Sequence, residues 1–550
     1  MTRHQQPLRR PLLATAALLA CGGAGAFEFD TGNDDLKVRL DTTAKYSAAW
    51  RMKDRSPALA GTVFAPAGVV GPNNLNQADG DNNFGRGLVS NRIDLLGELD
   101  VRYRNYGARM SAAAWYDTAY NRGTDNTTTT SNHIPASEFP ADTRKFMGRH
   151  AELLDAFVFG RIDVGDKPLT LRLGRHTLLW GESLFFGANG IAGGQAPVDL
   201  VKLLSVPNSQ FKETARPTGK LSGQLQVNSD VAVGAYLGYE WEPTRLMPVG
   251  AYLSASDIAG SGGERLLAGP AGAFLRAPDV EPSNSGQGGV QVRWRANSID
   301  TDFGLYAIRF HAMTPSNIYN ALGGMPPAVA PQSTRFAYHQ GIRAYGASVA
   351  KTVGAWSLAG EASVRQNAPL ASSGRTIIPA IGQGFDNSGN PGYAVGETAH
   401  AQFSWLAGLG PNFIAKESSF LGEVAWNTRL KVTRNEAMMN PNADRSAASL
   451  RLVYSATYRQ AVPGLDLTPS VGVSYTRGRS SALGPGFGVN RGGDYSLGLS
   501  ATYLGKWTAA INYVGFHGPE GSSLDNSNNA QFKQALKDRN FVTVSLRTTL

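Results

Sequence analysis

The fold is decided by one stretch near the start of the chain, Val38-Arg39-Leu40-Asp41-Thr42-Thr43-Ala44-Lys45-Tyr46-Ser47-Ala48-Ala49-Trp50-Arg51. Every second residue from Val38 is apolar or small, whereas the residues between them include Arg39, Asp41 and Lys45. Successive side chains of a β-strand point to opposite faces, so this alternation predicts a strand with one apolar and one charged face. The stretch exceeds the ~5–6 residues of a typical soluble strand and suits a tilted membrane strand of ~9–11 residues.

The same alternation recurs in segments that begin near residues 92, 108, 221, 231, 356, 450, 495, 507 and 542. Some neighbouring segments are joined by very short connections such as Asn105–Gly107, and others by long polar connections such as 119–148 and 312–340. Short turns at one rim and long loops at the other are typical of outer-membrane barrels. The sequence therefore predicts an all-β fold, a transmembrane antiparallel up-and-down outer-membrane β-barrel of about 16 strands with long extracellular loops.

The first 26 residues are expected to be a signal peptide rather than part of the fold. A region with three arginines is followed by an apolar stretch too short to span a bilayer, and Ala24–Ala26 resembles a cleavage site. A competing interpretation is a lipoprotein signal, because Leu18–Cys21 loosely matches a lipoprotein box. Residues 27–550 are expected to form a single outer-membrane β-barrel domain.

The chain ends in a further alternating segment, in which Val542, Val544 and Leu546 share a face. This pattern resembles the C-terminal signal that the barrel assembly machinery reads, so that machinery is an expected partner. Leu550 stands where a terminal phenylalanine is usual, which is a departure from the pattern.

The composition supports membrane strands rather than membrane helices. Charged residues make up 17% of the chain, below the ~25% usual for soluble domains, and no apolar run after residue 26 approaches the ~18 residues of a membrane helix. The net charge of +9 is spread along the chain, so nucleic acid is not an expected partner. The soluble alternatives are a β-sandwich, whose strands would be shorter, and a secreted β-helix, whose short repeat is not seen.

Several motifs resemble a known family, the proteobacterial outer-membrane proteins filed as domain-of-unknown-function family 1302. The motifs that carry the resemblance are Asp81–Phe84, Leu88–Leu96, Ala113–Asp117, Leu173–His176, Trp180–Gly187, Gln195–Leu200, Ser205–Glu213, Tyr239–Pro243 and Asn367–Leu370. The resemblance covers nearly the whole chain after the signal peptide. It implies an outer-membrane location, a periplasmic lipoprotein-like partner, an inner-membrane efflux-type transporter of the resistance-nodulation-division class, and traffic of apolar molecules.

The alternation fails between Trp180 and Glu213. Here Leu200, Leu203 and Leu204 recur at helical spacing, which predicts a short helix with Pro197 in its first turn and Pro207 at its end. Irregular backbone at membrane depth persists only where protein or a water-filled lumen covers it. The segment is therefore expected either to fold into the lumen as a constriction or to pack as an ordinary loop on the rim. As a constriction, its candidate gate residues are Phe185, Phe186, Leu200, Leu203 and Leu204.

The first two predicted strands each have a charged face, and this face is expected to point into the lumen because a basic residue facing lipid at mid-depth costs ~2–4 kcal/mol. The candidate lumen charges on these faces are Arg39, Asp41, Arg92, Asp94, Glu98, Asp100 and Arg102. Mixed charges of this kind can line a polar pathway. They can equally pair across adjacent strands and fill the lumen.

The function predicted from these patterns is a channel that passively admits small hydrophobic molecules. The alternatives are a non-transporting surface or envelope-scaffold barrel whose loops bind a partner and, third, an outer-membrane enzyme. The sequence contains no nucleophile elbow, zinc-protease helix or phosphate-binding loop, so no catalytic residue, cofactor or metal is assigned. Outer-membrane lipid is the remaining expected partner.

Overall fold

The wall of the molecule is built from long strands that pair in sequence order. The computed structural model describes residues 27–61, 74–378, 382–525, 527 and 529–549. The predicted signal peptide and Leu550 lie outside the described residues. Among the described residues, the strands are β1 (Phe27–Phe29), β2 (Leu36–Arg51), β3 (Gly87–Tyr103), β4 (Tyr106–Asp117), β5 (Arg149–Val164), β6 (Lys167–His176), β7 (Thr218–Gln226), β8 (Val231–Gly238), β9 (Arg265–Leu267), β10 (Ala273–Arg276), β11 (Gln287–Ala296), β12 (Thr301–Phe310), β13 (Asn317–Met325), β14 (Ala328–Ala337), β15 (Ile342–Val353), β16 (Trp356–Pro369), β17 (Arg375–Ile377), β18 (Val395–Leu409), β19 (Glu417–Arg434), β20 (Ser446–Val462), β21 (Leu465–Arg477), β22 (Gly493–Tyr503), β23 (Trp507–His517) and β24 (Phe541–Thr549).

The helices of the described residues are all short and lie in the connections between strands. They are α1 (Pro57–Ala60), α2 (Asp79–Asn82), α3 (Ala141–Thr143), α4 (Leu200–Ser205) and α5 (Phe211–Thr214). Single 3₁₀ or π turns occupy Ala119–Asn121, Arg144–Gly148, Ile191–Gly194, Gly269–Ala271, Asn297–Ile299, Glu436–Met438 and Gly484–Phe487. Within the described ranges, none of the helices is long and apolar enough to cross a membrane.

Eighteen antiparallel strands form a closed ring, and one further strand lies outside it. The ring closes where β24 pairs with β2, with Phe541 opposite Arg51 and Thr549 opposite Thr43. The outside strand, β1, pairs with β2 beyond the end of β24. The prediction of about 16 strands was therefore too low. A count from spacing averages over connections of very different length, so it does not fix the number of strands.

The two rims of the barrel differ, as the sequence predicts. Very short turns join β3 to β4, β15 to β16 and β20 to β21, whereas long connections join β2 to β3 and β8 to β11. Three long connections at the long-loop rim also form a five-stranded sheet in the order β17-β13-β14-β10-β9. The segment 312–340, predicted as a long polar connection, contains the hairpin β13–β14 of this sheet. Its Gly- and Pro-rich turn concealed the flanking strands.

The outer face of the barrel is apolar, because one parity of each strand points away from the lumen. Leu95 on β3, Val233 on β8 and Leu497 on β22 are exposed large apolar side chains of this face. A closed barrel with an apolar outer face is the form in which β-structure crosses a lipid bilayer, since each strand of the ring pairs with a neighbour on both sides.

The long loops fill the mouth of the barrel at their rim with a hydrophobic cluster, here called the outer plug. Phe84, Tyr120, Phe139 and Tyr252 are buried at its centre, and Val201 of α4 packs in the same cluster. The outer plug therefore contacts the segment between β6 and β7. It continues into a buried charged network, in which the Arg51 guanidinium lies 2.7 Å from Asp81 and 3.1 Å from Asp538.

Candidate functional site

The connection between β6 and β7, residues 177–217 and here called the lumen segment, crosses the interior of the barrel. Although β6 and β7 are neighbours in the wall, the segment contacts Glu361 on β16, Glu423 on β19 and Ser545 on β24. These strands lie far around the ring from β6, so the segment spans the lumen. Of the two expected placements, a packed loop on the rim and an inward fold, the structure has the inward fold.

The lumen segment contains the short helix that the leucine spacing predicts. α4 spans Leu200–Ser205, and the Asp199 side chain caps it by accepting a hydrogen bond from the Lys202 backbone N–H at 3.0 Å. Pro197 lies before this cap, so its predicted place in the first turn was wrong. The Asp199 side chain satisfies a free N–H group of the first turn, so the helix begins after Asp199 and not at the proline.

Two wall carboxylates hold the first half of the lumen segment by its backbone. Glu423 is fully buried and accepts hydrogen bonds from the backbone N–H groups of Leu184, Phe185 and Phe186. On a nearby strand, Glu361 accepts hydrogen bonds from the N–H groups of Glu182 at 2.7 Å and of residue 191 at 2.8 Å. Successive N–H groups that converge on one carboxylate form an anion-binding nest.

A wall guanidinium binds the carbonyl groups between those two nests. Arg365 of β16 donates hydrogen bonds to the carbonyl oxygens of Ala188, Asn189 and Gly190 at 2.8–2.9 Å. The Asn189 side chain in turn meets His400 on β18 at 3.0 Å. The tip of the segment is thus fixed by polar groups from three adjacent strands.

Two glycines of the segment make room for the Glu361 carboxylate. A Cβ atom on Gly181 or Gly190 would overlap with a carboxylate oxygen of Glu361. Gly181 also has a φ of +95°, a backbone conformation that side chains rarely adopt. The glycines of the Trp180–Gly187 motif and its continuation are therefore explained by close approach of the backbone to a wall charge.

An apolar seat lies beside this polar attachment. The Trp180 ring packs edge-on against Tyr236 of β8, with ring centroids 5.1 Å apart, in a buried cluster that includes Ile191 and Ile308. A Cβ on Gly289 of β11 would come within 3.1 Å of Trp180, so this inward-facing glycine makes room for the ring.

The second half of the lumen segment is held mainly by ion pairs. Asp199 is buried and lies 2.6 Å from the Arg245 guanidinium, which also pairs with Glu152 of β5. Lys202 lies over the Trp115 ring of β4, with its Nζ 5.0 Å from the ring centroid. These contacts attach α4 to the wall opposite the first half.

The stretch that leads to α5 reaches the seam where the barrel closes. Lys45 of β2 donates a hydrogen bond to Ser209 at 3.3 Å and lies 3.7 Å from Glu213. Asn208 donates a hydrogen bond to Ser545 of β24 at 2.8 Å. Lys212 forms an ion pair with Glu98 of β3.

The predicted gate residues lie on the lumen segment but differ in exposure. The exposed fractions of Leu203 and Leu204 are 55% and 50%. Leu200 is less exposed than these two residues and is half-buried. Phe185 is half-buried with the Arg451 guanidinium 5.6 Å from its ring centroid, and Phe186 packs against Phe487. Leu203 and Leu204 are thus the members of the set that offer apolar surface to the lumen.

The predicted lumen charges pair with one another and with neighbours rather than surrounding a single passage. Arg92 and Asp94 are buried together at 2.7 Å, near the Trp115 ring. Glu98 is buried and pairs with Arg109 as well as with the lumen segment. The remaining members lie toward the short-turn rim, where Arg39 pairs with Asp41, Asp100 pairs with Arg109, and Arg102 is exposed.

The wall formed by β20–β24 differs from the rest of the lumen, because the lumen segment covers it only in part. Many of its inward side chains are small or hydroxylated and half-buried, as Ser470, Ser496 and Ser500 show. Ser470 lies on the same face as Ser474, and Ser496 and Ser500 lie on the same face as Asp494. Ser474 and Arg451 both contact Asp494, and the Arg451 guanidinium lies over Phe185 of the lumen segment, so this face points inward. The segment borders this wall at Phe185 and Asn208.

On the short-turn side of the lumen segment, the interior opens into a cavity of about 400 Å³. Glu182, Leu184, Asp302 and Ser404 are among the residues that line it. A cavity of this volume can hold a small organic molecule.

Residues 8–550 match the sequence pattern of a family described as "Protein of unknown function (DUF1302)". The chain belongs to the DUF1302 family. Residues 8–550 contain the lumen segment and all the wall strands that hold it. Among curated protein sequences, none matches this DUF1302 chain.

Solved structures similar to this DUF1302 chain include proteins of two organisms. OccAB4 of Acinetobacter baumannii is 8% identical with a TM-score of 0.43, and the match covers 93% of this chain and 98% of that one. The outer-membrane channel DcaP of Acinetobacter baumannii is 6% identical with a TM-score of 0.39, covering 96% and 100%. OpdK of Pseudomonas aeruginosa, solved with vanillate, is 11% identical with a TM-score of 0.40, covering 93% and 98%.

Sequence reasoning missed the wall residues that hold the DUF1302 lumen segment. Glu361, Arg365 and Glu423 are separated from their partners in the segment by about 170 to 240 residues, so no local pattern connects them. Phe211, with 66% of its side chain exposed, was also missed. A signal existed for the wall residues, because each is a charge on the inward parity of a long strand.

Proposed function

We propose that this protein is an outer-membrane channel that passively admits small hydrophobic molecules. The observation that carries the proposal is apolar surface held within the lumen: Leu203, Leu204 and Phe211 are all at least half exposed on a segment fixed across the barrel. Burial of a leucine side chain is worth ~1.5–3 kcal/mol. An exposed apolar group at a fixed place inside a barrel is suited to contact with an apolar solute.

The proposed route runs between the lumen segment and the β20–β24 wall. The wall offers hydroxyl groups and glycines, whereas the segment offers apolar side chains. A molecule with an apolar body and a few polar atoms can use both sides as it passes. The cavity of about 400 Å³ beneath the segment would receive it on the short-turn side.

The test is solute flux through the purified protein in liposomes. We expect an aromatic alcohol to enter faster than a sugar of similar size, and the double variant Leu203→Asp, Leu204→Asp to slow the aromatic alcohol about tenfold, the scale of ~1.4 kcal/mol at the constriction. Both side chains are exposed, so folding should be kept. Met325→Asp, an exposed apolar residue outside the barrel ring, is the matched control. Equal flux in parent and double variant at equal protein would overturn the proposal.

The second candidate is a non-transporting surface barrel whose loops bind a partner. It is favoured by the outer plug, which closes much of the long-loop rim, and by exposed apolar residues of the five-stranded sheet such as Leu275. Planar bilayers distinguish the two. A channel conducts ions stepwise, whereas a plugged scaffold leaves the bilayer current at its baseline.

A further inference from the structure

Three charged side chains of the wall are buried against the lumen segment without forming an ion pair. They are Glu361, Arg365 and Glu423, and in the part of the chain that the structure describes none has an oppositely charged side chain within 4 Å. Most of their hydrogen bonds go instead to the backbone of residues 182–191, and Glu361 also accepts one from the Gln402 side chain at 3.2 Å. We infer that these three residues form a clamp that positions the lumen segment and controls how often its tip leaves the wall.

The chemistry of the clamp is specific to one placement of the segment. An unpaired charge buried in protein costs several kcal/mol unless dipoles replace its water. Glu423 receives three consecutive N–H groups, and Arg365 receives three consecutive carbonyl groups. A shift of the segment by one residue would turn N–H groups away from a carboxylate, so the clamp selects one register.

The same charges make the clamp releasable. When the tip moves away, Glu361, Arg365 and Glu423 face a water-filled lumen that hydrates them, so release exchanges backbone partners for water. If the wall were apolar, movement of the tip would expose apolar surface to water, and no new contact would compensate for that loss. A charged clamp therefore lowers the cost of moving the tip while keeping its closed position defined.

The two halves of the segment then have different roles. Residues 182–191 are held by the clamp, and their release would widen the lumen beside β16–β19. Residues 198–214, which carry Leu203 and Leu204, stay attached by ion pairs such as Asp199 with Arg245. The inference that release changes transport rests on the proposed channel function, whereas the clamp itself does not.

The mobility of the tip can be measured directly with a spin label on Ala188→Cys, an exposed position of the tip, in a chain with Cys21→Ser. In lipid nanodiscs we expect an immobilised spectrum for the parent and a mobile component several times larger in Glu361→Gln and in Glu423→Gln. Glu397→Gln is the matched control, because Glu397 lies on neighbouring β18 and pairs with Lys431. An unchanged spectrum in both clamp variants, with the heat-modifiable barrel intact, would overturn the clamp.

A second variant approaches the clamp from the segment instead of from the wall. Gly190→Ala places a Cβ against the Glu361 carboxylate at a φ of −80° that alanine adopts, so the wall strands are untouched. It too should mobilise the label, and an immobile label in this variant contradicts the clamp even if the glutamine variants do not fold. Current through planar bilayers distinguishes the two proposals. If the label is mobile in the clamp variants but no variant conducts, the channel proposal is wrong and the clamp is supported.

Discussion

Two residues at the lumen, Glu423 and Leu203, are placed contrary to their polarity, because the charged one is buried and the apolar one is exposed. Glu423 is fully buried and is satisfied by three backbone N–H groups, whereas Leu203 is apolar and remains 55% exposed. Each would be unfavourable if it stood alone, since a buried charge lacks water and an exposed leucine lacks apolar contact. Both are accounted for by the lumen segment, which supplies the dipoles for one and leaves the other exposed.

Arg547 of β24 is a lumen cation whose removal should alter ion selectivity. It lies on the inward parity opposite Lys45, is half-buried, and donates a hydrogen bond of 3.5 Å to the Asn208 carbonyl. Arg547→Gln should lower the anion-to-cation permeability ratio about twofold, because a fixed charge beside the passage attracts its counter-ion. Reversal potentials under a salt gradient measure this ratio. Arg477→Gln, on the outer face of β21, should leave it unchanged, and the same result for Arg547 would contradict the prediction.

Two buried carboxyl groups of the long loops, Asp79 and Asp257, should make the packing of these loops more stable in acid. Burial raises the pKa of Asp79, and burial together with the neighbouring Asp79 raises the pKa of Asp257 well above its ordinary 3.8, although Arg539 opposes this effect. A raised pKa in the folded state means that protonation favours the packed loops, so their stability falls as pH rises above 3.8.

Amide hydrogen exchange in residues 74–84, corrected for the intrinsic rate, tests this pH dependence. Exchange should be about tenfold slower at pH 5 than at pH 8, because the packed loops hold protons on these two carboxyl groups more tightly than the opened loops do. Asp257→Asn removes one of the two titrating groups and should flatten the dependence. A corrected rate that is equal at both pH values in the parent would be evidence against it.

At the scale of elements, the strands could be predicted from the sequence and the course of the lumen segment could not. A strand repeats every two residues, so the alternation of Val38–Arg51 determines both its conformation and its faces. The predicted helix at Leu200 was likewise visible in its spacing. Where the segment goes is decided by Glu361 and Glu423, on strands formed much later in the chain, and one sequence contains no local sign of that contact. The strand number failed for a related reason, since connections vary too widely for spacing to count strands.

The proposed passage along β20–β24 predicts which wall positions meet water. Ser470→Cys and Ser496→Cys, half-buried on the inward parity, should react with a charged, water-soluble thiol reagent when the protein is in lipid. Leu497→Cys, beside Ser496 on the outward parity, should stay unreacted because it faces lipid. Ser363→Cys should also react slowly, because the lumen segment covers that inward position. Equal labelling at Ser363 and Ser496 would mean that the passage does not follow this wall.

At the scale of the whole molecule, the barrel depends on a closure that joins its two ends. β24 pairs with both β2 and β23, whereas β1 pairs with β2 at three positions outside the ring. Closure leaves no open edge, which a bilayer does not tolerate. It also fixes the seam to which the second half of the lumen segment attaches, at Lys45 and Ser545, so the lumen segment and the closure share the same strands.

Truncation after Asn540, which removes β24, should therefore abolish the barrel rather than weaken it. Both β2 and β23 would present unpaired backbone groups to lipid, each at a cost of several kcal/mol. The readouts are heat-modifiable mobility on gels and protease resistance in isolated outer membranes, and both should be lost. Glu28→Pro is the matched control, because it disrupts the pairing of β1 outside the ring and should leave both readouts intact. A truncated protein that still migrated as a compact, protease-resistant barrel would show that the ring can close without its last strand, and the lumen segment would then have to attach to a seam between other strands.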